Sequence, residues 1–117
     1  MELSHLEPQL IWKNFAALNS VPRPSKKEEK VIEFIKNFGE NINLETTVDE
    51  VGNVIIKKPA TPGMENRKSI VMQSHLDMVC QKNNDVNFDF ETQGIKMEVD
   101  GDWVKAKGTT LGADNGL

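Results

Sequence analysis

The apolar pattern of this chain changes period once, near Asn43, and that change limits it to a mixed helix-and-strand fold. Before it, Ile11, Phe15 and Leu18 recur at helical spacing, with Pro8 suited to the first turn. Trp12 sits beside that stripe. Val21-Pro22-Arg23-Pro24 stops the helix, because proline disfavours a helical residue before it. The spacing predicts a second helix at once. Ser25 and Glu28 stand at capping-box spacing, Val31, Ile35 and Phe38 form the apolar stripe, and Gly39 is a natural stop.

After Asn43 the residues favour strands. Thr46-Thr47-Val48 and Val54-Ile55-Ile56 flank Gly52-Asn53, which reads as a tight turn. Pro59 to Gly63 is a loop by composition. Ile70-Val71-Met72 is a short apolar run between polar residues, the pattern of a strand buried on both faces. Ile95 to Val99 and Trp103 to Ala106 flank Asp100-Gly101-Asp102, a strong hairpin signal. Helices followed by strands make an α/β or α+β unit. The chain shows no internal repeat and no linker, and it stops at Leu117 just after a turn-rich segment.

Composition narrows the partners. A net charge of −4 argues against nucleic acid, whose phosphates call for clustered Lys and Arg. Lys26-Lys27-Glu28-Glu29-Lys30 is mixed in sign and reads as a solvated helix face. Cys80 stands alone, so no internal disulfide forms, which leans toward a reducing compartment. The N-terminus lacks the basic and apolar regions of a signal peptide, and no run approaches a membrane helix. A cytoplasmic location without membrane contact is the expectation.

Two segments could carry chemistry. In Gln73-Ser74-His75-Leu76-Asp77-Met78-Val79, an extended backbone projects His75 and Asp77 to the same side. A neutral imidazole ligates zinc well, and a neighbouring carboxylate can accept its other N–H and fix the ring. Alone, such a triplet is better read as a strand-end histidine bonded to aspartate for structure. In Gly108-Thr109-Thr110-Leu111-Gly112-Ala113-Asp114-Asn115-Gly116, the glycines permit tight turns that bring a carboxylate close to a ligand. Such a carboxylate could bridge two cations, and the bland alternative is an ordinary Asp-Asn turn. The spacing fits neither the dinucleotide nor the Walker phosphate loop.

Together these segments resemble the zinc peptidase family that includes carnosinases, aminoacylases, carboxypeptidase G and peptidase T. Within it the chain looks most similar to the Xaa-His (aminoacyl-histidine) dipeptidases. The resemblance is carried by His75-Leu76-Asp77-Met78-Val79 with Gln81-Lys82, by Asp100-Gly101-Asp102-Trp103, and most specifically by Gly108 to Gly116. Leu6-Glu7-Pro8, Ile32 to Phe38 and Asp49-Glu50-Val51-Gly52-Asn53-Val54 extend it over most of the chain. Ser74 departs from it, since the family has glycine before the histidine.

The resemblance implies an α/β fold: residues 1–117 as the N-terminal part of a zinc-peptidase-like catalytic domain, a mixed sheet with flanking helices, incomplete without its lid domain and further ligands. It implies that His75 and Asp114 are metal ligands, with Asp114 bridging two cations and followed by a strained cis peptide at Asp114–Asn115. Asp77 completes the catalytic set by holding the His75 ring. The cofactors would be two divalent metal ions, zinc first, with cobalt or manganese as alternatives. The substrate would be a dipeptide, hydrolysed by a metal-activated water. The family's paired glutamates find no counterpart after Asp114, so the segment alone is expected to be inactive. Exposed strand surface would favour a homo-oligomer. Two other readings stay open: a sibling amidohydrolase such as an aminoacylase or tripeptidase, and a non-catalytic α/β binding module. Trp103, Cys80 and His5 default to packing or solvent.

Overall fold

The computed structural model describes residues 3–114. Its element order is α1 (Gln9–Asn19), α2 (Glu29–Asn41), β1 (Glu45–Val48), β2 (Val54–Lys57), β3 (Met97–Asp100) and β4 (Trp103–Ala106). The strands form two separate antiparallel hairpins, β1 with β2 and β3 with β4. No helix among the described residues is long and apolar enough to cross a membrane.

Pro8 lies just before α1, in keeping with its lack of an N–H, but the buried face differs from the expected stripe. Ala16 and Asn19 are buried while Ile11 is 62% exposed. The face that packs therefore carries a buried polar residue at its C-terminal end, which apolar counting cannot detect. Asn19 donates from Nδ2 to the Leu111 carbonyl and its own carbonyl accepts the Ile95 N–H, so α1 is fixed to the chain around the second hairpin.

Helix α2 runs past Gly39 and closes two residues beyond Asn41. Asn43 takes a positive φ of 59°, its N–H reaches the Glu40 carbonyl, and the Leu44 N–H reaches the Gly39 carbonyl. This is the Schellman closure, which satisfies the last free carbonyls. Gly39 serves packing instead: a Cβ there would stand 2.3 Å from Thr46 Oγ1. The helix thus lies close against β1 and β2 at that point, and Val31 is fully buried.

The first hairpin pairs Val48 with Val54 and closes through Asp49, whose carboxylate accepts the Val51 and Asn53 N–H groups. The second pairs Asp100 with Trp103 around Gly101, at φ 59°. Both hairpins follow the sequence reading. The buried strand at Ile70-Val71-Met72 does not form. These residues are 83%, 93% and 88% exposed, and no described strand runs beside them. A strand is held by a ladder of neighbours, and here the apolar run has none. An open groove of about 1490 Å³ lies between this segment and the α2–hairpin unit.

Candidate functional site

The site is assembled by the turn that follows α1. Arg23 accepts the Met78 N–H with its carbonyl at 3.0 Å, and Pro24 bridges to Met78 in parallel. From the same turn the Ser25 hydroxyl donates to Asp77 Oδ2 at 2.6 Å. The segment carrying His75 and Asp77 is therefore fixed by its contacts with residues 23–25, although it belongs to no strand.

The second segment is laid against the first farther along. Thr110 Oγ1 donates to the Val79 carbonyl at 2.6 Å, and the Thr110 N–H to the Gln81 carbonyl at 2.8 Å. Gly112 takes φ +73°, a left-handed turn that suits glycine. The chain then delivers Asp114 beside His75, with Oδ2 3.3 Å from Nε2. All three residues singled out in the sequence are thus in one place.

Their geometry is directional. His75 Nδ1 stands 2.9 Å from the Asp77 carbonyl and 3.0 Å from Asp77 Oδ1, while Nε2 faces Asp114. A neutral ring that donates from Nδ1 to these oxygens carries its lone pair on Nε2. That lone pair then confronts a carboxylate oxygen, and two acceptors at this separation need a cation between them. A proton or a metal ion can fill that role.

Donor chemistry and spacing fit a metal. Ligands at ~2.0–2.2 Å on a tetrahedral zinc stand roughly 3.3–3.6 Å from each other. The observed 3.3 Å lies at the near edge of that window. Asp77 faces the opposite ring nitrogen and so lies outside this donor pair. Among the described residues no group of three or more His, Cys, Asp or Glu side chains could hold a metal ion.

The Ser25 hydroxyl, above all, holds the Asp77 carboxyl below the usual aspartate range, with His75 assisting. Burial pushes the Cys80 thiol up, in keeping with a packing role. Sequence reasoning missed two residues of the site. Ser25 was expected to cap α2 and bonds Asp77 instead. Arg23 read only as part of a helix-stopping turn, yet it is 1% exposed and reaches both segments. Its position between two prolines was the available signal. The expected cis peptide at Asp114–Asn115 lies outside the described residues.

No protein-family model matches the chain. The cytosol non-specific dipeptidase of Escherichia coli (strain K12) is 53% identical over 116 residues, covering 99% of this chain and 24% of that protein. The crystal structure of aminoacylhistidine dipeptidase from Vibrio alginolyticus matches with a TM-score of 0.93 at 50% identity, over 99% of this chain and 24% of that one. The chain therefore spans about a quarter of the length of the relatives it matches. In sequence and in backbone it is similar to part of a dipeptidase, as the motifs at His75 and Gly108 to Gly116 imply. Its mixture of helices and strands is that of a fragment of an α/β dipeptidase fold.

Proposed function

We propose that this chain is the N-terminal segment of the catalytic domain of a cytoplasmic, metal-dependent dipeptidase, acting on Xaa-His dipeptides as part of a longer enzyme. The observation that carries the reading is the confrontation of His75 Nε2 with Asp114 Oδ2 at 3.3 Å, while Asp77 occupies the other ring nitrogen. His75 would ligate one cation, Asp114 would bridge two, and Asp77 would keep the ring in register.

Two divalent ions, zinc first and cobalt or manganese as substitutes, would polarise the scissile carbonyl and acidify a water. The chain's own residues hold and orient. Asp77 accepts the hydrogen bond from Nδ1–H and so leaves the Nε2 lone pair facing Asp114. Ser25 fixes Asp77, and Thr110 fixes the loop that carries Asp114. Two donors do not close a zinc site, which takes at least three from protein. The remaining ligands and the general base belong to the rest of the longer enzyme.

Two further features support that division. Ile70-Val71-Met72 is an exposed apolar run with no neighbouring strand among the described residues, a surface that the remaining chain would cover and that otherwise favours self-association. The net charge of −4 disfavours nucleic acid as a partner.

A chimera tests the reading. Residues 1–117 replace the matching quarter of the Escherichia coli relative, and the product is assayed with zinc on a dipeptide ending in histidine. The chimera should turn over, while His75→Ala and Asp114→Ala should abolish turnover. Asp77→Ala should lower activity by ~10–100-fold and retain much of the metal. The 117-residue chain alone should be inactive. A His75→Ala chimera with full activity would refute the proposal.

A further inference from the structure

Arg23 is buried, yet three of its four side-chain hydrogen bonds run to the two segments that build the site. Nη1 donates to the carbonyls of Leu76 and Asp77, each at 3.2 Å. Nη2 donates to Asn19 Oδ1 at 2.6 Å and to the Gly112 carbonyl at 2.8 Å. The first two carbonyls follow His75 directly, and the third lies two residues before Asp114. One rigid, planar group thus spans both segments that meet at the candidate metal pair. Asn19, at the end of α1, fixes the group from behind.

The guanidinium also explains the glycine opposite it. A Cβ on Gly112 would stand 2.8 Å from Arg23 Nη2, so the backbone approaches the arginine more closely than a side chain allows. A stabilising role alone does not account for this arrangement. Burying an arginine is costly, and its Nε has no hydrogen-bond partner among the described residues. Replacing buried ionic groups with apolar ones of like volume is often neutral or stabilising. Burial pushes the Arg23 guanidinium down, against the opposing pull of the Asp114 and Asp77 carboxylates.

We propose that Arg23 is a positioning residue: by holding the Leu76, Asp77 and Gly112 carbonyls together, it sets the His75–Asp114 separation and so governs metal affinity without being a ligand. This inference rests on the reading of His75 and Asp114 as ligands. Thr110 joins the same two segments farther from the pair, through Val79 and Gln81. Arg23 is the tie beside it.

The test is a cobalt(II) titration of the chimera described above, followed by the visible absorption of the bound ion, with the unfolding midpoint recorded for every variant. Arg23→Met and Arg23→Lys should each weaken binding by ~10-fold or more, as loss of groups that orient ligands does. Lys keeps the charge but cannot reach all four oxygens, so its effect separates orientation from electrostatics. Val31→Ala, a core change away from the site, should lower the midpoint and leave the affinity of the folded chain within about twofold, since distant sites act independently. His75→Ala should lose the site. A folded Arg23→Lys or Arg23→Met chain with wild-type affinity, while His75→Ala has lost binding, would overturn the role of Arg23 and leave the metal reading standing. Undiminished binding by His75→Ala would overturn the metal reading and this inference with it.

Discussion

Ser25 Oγ donates a 2.6 Å hydrogen bond to Asp77 Oδ2, linking the turn after α1 to the carboxylate that faces the His75 ring. A hydrogen bond to a carboxylate favours its charged form. Removing the hydroxyl should release both the charge and the orientation of Asp77. In Ser25→Ala the Asp77 carboxyl should rise back toward its ordinary value, read by carbon-13 titration of the side chain. An unchanged titration would show that the serine contributes nothing to Asp77.

Gly39 gives a sharper test of packing against propensity. Alanine in a helix interior gains about 1 kcal/mol over glycine. At Gly39, however, the added Cβ would meet Thr46 Oγ1 at 2.3 Å and Ile56 Cδ1 at 3.0 Å. Overpacking of this kind costs ~1–3 kcal/mol, so Gly39→Ala should be net destabilising in chemical denaturation. Adding Thr46→Ala removes the nearest clash and should recover part of the loss. A Gly39→Ala chain more stable than the parent would mean that α2 does not lie against β1 as described.

Asp49 supplies a pH dependence with a definite sign. Its carboxylate accepts hydrogen bonds from the Asn53 side chain and from the Val51 and Asn53 backbone, which hold its pKa below the ordinary 3.8. A group depressed in the folded state stabilises above its unfolded value and loses that effect as pH falls through the lower, folded value. Exchange protection of the Val51 and Asn53 amides should therefore hold from neutral pH to about pH 4 and decline below it. Asp49→Ala should remove the protection at every pH. Protection that persists unchanged in that variant would contradict the role given to Asp49.

Elements held by local patterns were legible in the sequence. The hairpins at Val48–Val54 and Asp100–Trp103 were, because turn residues and β-branched runs specify them within a few positions. The motifs around His75 and Asp114 pointed to one place because both carried recognisable chemistry. Ile70-Val71-Met72 was not legible in the same way, because a buried strand is defined by neighbours that its own residues do not encode. Ser25 and Gly39 each fitted a local helix-end signal, and in both cases a tertiary contact decided the role. Arg23 gave no periodic signal at all. Its importance comes from three carbonyls more than fifty positions away in the chain.

The central claim is that His75 Nε2 and Asp114 Oδ2 face a shared cation while Asp77 holds Nδ1. Zinc titration of the nitrogen-15-labelled chain, observed at the histidine rings, tests this most directly. Zinc should move the His75 Nε2 resonance toward that of a metal-bound ring nitrogen, leave Nδ1 protonated, and lose its effect in Asp114→Ala. Coordination through Nδ1, or a zinc response confined to His5, would contradict the account.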